Sequence, residues 1–116
     1  MRLHHPATLA AAAVVAAGVA VPVAASSAAP PAGKATVVLK NIAFTPKSVT
    51  IKKGGSVTWS WRDGATPHTV TSTGKTHFKS AGARMSGTYS VRFTKAGTYH
   101  YVCTIHPGMA GVVVVK

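Results

Sequence analysis

From Thr36 to the C terminus, apolar and polar residues alternate in short runs separated by turn-forming residues. A period of two puts successive side chains on opposite faces of a strand, so each run predicts a half-buried β-strand. The runs are Thr36–Leu39, Ser48–Ile51, Ser56–Trp61, His68–Thr73, Thr88–Phe93, Thr98–Cys103 and Gly111–Val115. Val57, Trp59 and Trp61 share one face of their strand, and Tyr89, Val91 and Phe93 share one face of theirs. Phe44 closes onto the core ahead of Pro46, and the loop from Gly74 to Ala83 is expected to hold a short irregular strand around Phe78. Turns are expected at Lys52-Lys53-Gly54-Gly55, Asp63-Gly64 and Lys95-Ala96-Gly97. No part of this region has helical periodicity, and no internal repeat is present. Seven to eight short strands at this spacing predict an all-β fold, a Greek-key β-sandwich.

The N-terminal segment breaks the pattern. Arg2, His4 and His5 precede an almost unbroken Ala/Val run from Leu9 to Val23, and Ala24-Ala25-Ser26-Ser27-Ala28 follows it. A charged start, an apolar centre and a small-residue end are the order of a secretory signal peptide. Residues 1–25 are read as that signal, with cleavage near 25–28. The apolar run is shorter than the roughly 20 residues of a membrane span, so a retained anchor is the lesser alternative. Residues 26–34 are read as a flexible tether and residues 35–116 as one folded domain. Export to the periplasm or the cell surface follows from that reading.

Charge narrows the partners. The chain has 13 Lys and Arg against a single acid, Asp63, and a formal net charge of +12. One carboxylate side chain excludes acid–base catalysis by paired carboxylates. The basic residues are dispersed, without a basic helix or an aromatic-studded nucleic-acid motif. The expected partners are acidic proteins or, peripherally, an anionic membrane surface, with no nucleic acid, and the domain is expected to be a monomer.

The chemistry lies around the only cysteine. Cys103 cannot form an internal disulfide, so in an exported chain it is a free thiol, an intermolecular partner, a buried structural residue or a metal ligand. Its neighbours favour the last reading. Cys103-Thr104-Ile105-His106-Pro107-Gly108-Met109 brings a thiolate, an imidazole and a thioether together. His68, in Thr66-Pro67-His68-Thr69-Val70, adds a second imidazole. Taken singly, Met109 reads as core packing and His68 as a surface or capping residue. Jointly they make the ligand set of a trigonal copper site with a weak axial sulfur. Thiolate and thioether select copper over magnesium, calcium or manganese, and a Met ligand is unusual for zinc. Strand alternation turns Tyr99, Tyr101 and Cys103 inward and His100 and Val102 outward. His77, His4 and His5 lack neighbouring donors, and Trp59 and Trp61 read as core, with Trp61 towards the copper end.

The motif Cys-x-x-His-x-x-Met after an aromatic strand, with Pro67-His68-Thr69-Val70 upstream, resembles the cupredoxins, and its short ligand loop is most similar to amicyanin and the plastocyanins. The similarity runs from about Ala35 to Lys116. It implies a cupredoxin-like sandwich and one type 1 copper ion held by His68, Cys103, His106 and Met109. The edge of His106 is then the electron port, in an apolar patch with Pro107, Gly108, Met109 and Met85. The Thr69 N–H is expected to donate to the Cys103 sulfur. Ile105 stands where relatives often carry Pro, so its N–H is a second donor, as a comparable one is in azurins. Val102 stands where plant plastocyanins carry a Tyr port, so that port is missing. The function implied is an exported blue-copper electron carrier and not an enzyme. Copper delivery through the same ligands is the rival, and a structural or adhesive sandwich the third reading.

Overall fold

The computed structural model describes residues 31–116. The segment read as a signal peptide, residues 1–25, and residues 26–30 of the tether lie outside the described residues. Eight strands and no helix make up the rest: β1 (Ala32–Leu39), β2 (Phe44–Thr45), β3 (Ser48–Trp61), β4 (His68–Thr73), β5 (Ala81–Arg84), β6 (Thr88–Arg92), β7 (Gly97–Val102) and β8 (Ala110–Val115). Their hydrogen-bonded order is β2-β1-β3-β8-β7-β4-β5, with β6 added on β3.

β3 joins the two layers of the sandwich. Its Ser48–Ile51 arm runs parallel to Val112–Val115 of β8. Its Ser56–Trp61 arm lies between β1, in parallel, and β6, antiparallel. β8 leads away from the Cys103–Met109 loop, whereas the Trp61 end of β3 sits beside His68, bonded to its carbonyl. The chain therefore reverses between the arms, at the expected Lys52–Gly55 turn. Gly54 there has φ 90°, and a Cβ on Gly55 would overlap the Gly33 and Lys52 carbonyls. The strand assignment continues through the turn because the backbone stays bonded on both sides. Lys53 N–H donates to Lys116 O (2.9 Å) and Gly54 N–H to Phe93 O (2.6 Å).

The core lies between the layers, and the predicted faces supply it. Val57, Trp59, Trp61, Tyr99, Tyr101 and Cys103 are buried, while His100 is exposed. Trp59 is its centre, stacked on Phe78 (5.3 Å, 13°) and edge-on to Tyr101 (5.3 Å, 85°). Such aromatic pairs add about 1 kcal/mol each beyond burial.

Two boundaries differ from expectation. β1 begins at Ala32, so Ala32, Gly33 and Lys34 of the supposed tether join the sheet through Ala32↔Ile51 and Lys34↔Ser56. The absence of a side chain on Gly55 permits the close approach of the Gly33 carbonyl that accompanies this pairing. Phe78 is not in a strand; the strand of that loop is β5, Ala81–Arg84, paired with β4. Phe78 is instead a plug on Trp59. The Ser72 hydroxyl accepts its N–H (3.1 Å), and Ser72 N–H donates to Ser80 Oγ (2.9 Å), so side chains replace ladder bonds there. The β1–β2, β3–β4, β5–β6 and β7–β8 connections gather at one end of the sandwich, around His68.

Candidate metal centre

His68 opens β4 and is fully buried. Its carbonyl accepts the Trp61 indole N–H (2.8 Å), and its ring Nε2 lies 2.8 Å from Asp63 Oδ2. The Ile42 N–H (3.0 Å), and after it the His68 ring, hold the Asp63 carboxyl down to about 2. An ionised carboxylate only accepts, so Nε2 carries the proton and donates it. The Nδ1 lone pair is then free, 3.8 Å from Cys103 Sγ. The Ile42 donor is itself aimed by an unusual turn: Asn41 and Ile42 both have φ 55°. A β-branched residue there costs about 1–2 kcal/mol; hydrogen bonding to the carboxylate offsets it.

Cys103 follows the last residue of β7 and is 3% exposed. Burial pushes its thiol up. The Thr69 N–H (3.4 Å), His106, His68 and, least, the Ile105 N–H outweigh that and bring it down to about 6. A thiolate is therefore the prevailing form at neutral pH, which is what a metal ligand requires. His106 Nδ1 stands 3.6 Å from Sγ. The donor atoms of His68, Cys103 and His106 all lie within 4.8 Å of one another.

The loop is short because it closes on itself. Cys103 N–H donates to Met109 O (2.9 Å) and Met109 N–H to His106 O (3.1 Å), with Gly108 at φ 87° making the bend. Met109 is buried, 4% exposed. Thr69 fastens the loop to β4. Its hydroxyl accepts the Thr104 N–H (2.9 Å) and lies 3.2 Å from the Thr104 hydroxyl.

The fold thus gathers His68, Cys103 and His106, buries Met109 in the same loop and sets the Thr69 amide on the sulfur. Ile105 contributes least, and among the described residues Thr69 is the only backbone donor in close N–H···S geometry. His77 and His100 are exposed and take no part, and His4 and His5 lie outside the described residues. Asp63 and Thr104 were not foreseen. Asp63 had a signal: it is the only acid in a strongly basic chain, just upstream of His68. Thr104 had none.

Two imidazole nitrogens oriented onto a low-pKa thiol, with a thioether in the same loop, suit a soft metal. Residues 32–116 match the family described as copper binding proteins, plastocyanin/azurin family. The chain belongs to that family. Amicyanin-alpha of Methylorubrum extorquens is 41% identical to this cupredoxin over 96 residues, which span 74% of this chain and 75% of the relative. A solved Cu(I) form of an amicyanin mutant is 33% identical at a TM-score of 0.65, covering 72% of this chain and 83% of that one. A purple cupredoxin from Nitrosopumilus maritimus, 23% identical, shares the fold at a TM-score of 0.64 over 71% of this chain and 99% of its own. The cofactor of this cupredoxin is one type 1 copper ion.

The two imidazoles differ in exposure. His68 is sealed, whereas His106 is half-buried and reaches the surface. The connections at this end carry Ile42 (51% exposed), Met85 (53%) and Ile105 (40%), and Pro107 and Gly108, which follow His106, are exposed as well. Lys40, Arg62 and Arg84 stand at the rim, and the Arg84 guanidinium lies 4.9 Å from the centre of the Trp61 ring.

Proposed function

We propose that this cupredoxin is an exported carrier of single electrons between redox proteins, with His68, Cys103, His106 and Met109 as copper ligands and His106 as the electron port. The observation that carries the reading is the half-buried His106 ring, 3.6 Å from a buried thiol, at the end of the sandwich that also carries the exposed side chains of Ile42, Met85 and Ile105. Bound copper supplies a one-electron Cu(II)/Cu(I) couple. The protein's part is to preset the donors. Asp63 fixes the tautomer of His68 and Thr69 fastens the loop, so little need rearrange on electron transfer.

The exposed apolar side chains at this end, Ile42, Met85, Ile105 and Pro107, offer a docked partner an apolar surface, and the cations of the same end favour an acidic one. The leader-like segment of residues 1–25 supports export to the periplasm or the cell surface, and the domain is read as a monomer. The only acidic side chain is engaged by His68, which leaves no acid–base pair for catalysis. Copper delivery would require the ligand loop to open against the Thr69–Thr104 bonds.

The deciding experiment is spectroscopic and kinetic. Copper-loaded, oxidised protein should show an intense visible thiolate-to-copper band, bleach reversibly on one-electron reduction and exchange electrons rapidly with itself. Slow self-exchange, with ready copper transfer to a metal-free acceptor, would replace the carrier by the delivery reading.

A further inference from the structure

Cations dispersed along the sequence converge on the end of the sandwich opposite the copper site. Lys34, Lys52, Lys53, Arg92, Lys95 and Lys116 are all exposed there. Lys34 pairs with Ser56, which pairs in turn with Arg92. Arg92 Nε–H donates to Gly54 O (3.1 Å), Lys53 N–H to Lys116 O (2.9 Å), and the Tyr99 hydroxyl to Lys95 O (2.7 Å). The only acidic side chain, Asp63, is at the other end, on His68. A groove of about 430 Å³ opens beside this cluster, bordered by His77, Lys79, Arg92 and Lys95 and floored by Phe78, Phe93 and Tyr99.

Two further observations point to the occupant. Among the described residues the large exposed apolar side chains, Ile42, Met85 and Ile105, all sit at the copper end, whereas the aromatic side chains flooring the groove at the cationic end are buried or half-buried, so cations dominate the surface there. The described chain also begins at this end, because β1 starts at Ala32, which pairs with Ile51.

We propose that the cationic end is a docking surface for an anionic phospholipid bilayer, with lipid phosphates meeting Lys52, Lys53, Lys95 and Arg92. The copper end then faces away from the bilayer, free to meet its partner. Separate cations on a broad surface suit a plane of separate negative charges, and their contributions add. The proposal stands on the charge map and the start of β1, not on the carrier reading.

The test is co-sedimentation of the full-length, copper-loaded protein with phosphatidylcholine vesicles, with and without phosphatidylglycerol, at low and high salt. Two variants of equal charge are compared: Lys52→Gln/Lys95→Gln and Lys40→Gln/Arg62→Gln. All four side chains are exposed, and an unchanged visible band verifies the fold. The N-terminal segment is common to every sample and drops out of the comparison. Each cation at an anionic surface is worth about fivefold in binding. The first variant should therefore lose about 25-fold of its phosphatidylglycerol-dependent affinity, while the second binds nearly as the parent does. Equal losses in both variants would reduce the effect to net charge and overturn the proposal. Binding indifferent to phosphatidylglycerol would also overturn it, as would preference of this end for an acidic protein over the vesicles.

Discussion

His68 and His106 stand 4.8 Å apart between ring centres, yet they are held in opposite ways. His68 is sealed in the framework: its carbonyl is bonded to Trp61, its Nε2 to Asp63, and Asp63 in turn to the β1–β2 turn. His106 sits in a surface loop that closes through its own backbone and is fastened from outside by Thr69. The buried half sets orientation and protonation; the exposed half brings one imidazole edge to the surface. A carrier needs both, since a rigid site limits rearrangement and a surface ligand shortens the path to a partner.

The two halves meet at Cys103, so the largest effect is expected there. Cys103→Ser should abolish the visible band completely; a variant that kept its colour would sink the assignment of the site. Met109→Leu probes the loop half alone. It should keep copper and raise the potential, because the oxidised ion loses a donor; a loss of 1.4 kcal/mol corresponds to about 59 mV. A fall in potential would remove Met109 from the ligand set.

Asp63→Asn probes the buried half. Removing a negative charge beside His68 should disfavour Cu(II) and raise the potential by tens of millivolts, on the scale of about 59 mV per 1.4 kcal/mol. The metal-free protein gives a second readout. Because the Asp63 carboxyl is held at about 2, below its usual 3.8, its contribution to stability is complete above pH 3.8 and is lost as pH falls through about 2. Urea melts across that window should show this dependence in the parent and not in Asp63→Asn. The same dependence in both proteins would mean that Asp63 does not fix His68.

Thr69→Val keeps the amide on the sulfur but removes the hydroxyl that fastens the loop. Stability should fall by about 1 kcal/mol, the net worth of one hydrogen bond, with the visible band retained. An unchanged melting midpoint would show that the loop needs no such fastening. The smallest effect is expected for Ile105→Pro, since its N–H contributes least to the thiol. The potential should drop by roughly 20 mV, equivalent to about 0.5 kcal/mol. A drop as large as 60 mV would restore Ile105 to equal standing with Thr69.

Period-two alternation determined most of the strands and the inward face of Tyr99, Tyr101 and Cys103, and the paired glycines determined the turn at Lys52–Gly55, because strand and turn geometry act over neighbouring residues. The Cys103–Met109 loop was legible for the same reason: its donors are close along the chain, and the bend at Gly108 can only keep them close in space. His68 was legible through its own motif and its joint fit with that loop. What connects distant segments was decided by the tertiary structure alone. No local rule brings the Ile42 N–H from one turn and the Asp63 carboxylate from another onto His68. Nor does one join Ala32 to Ile51 or set Phe78 on Trp59. The same holds for charge. Lys34, Lys52, Arg92, Lys95 and Lys116 are scattered in sequence, and only strand register carries them to one end. Local sterics and periodicity specify elements, whereas the register between elements specifies which side chains meet.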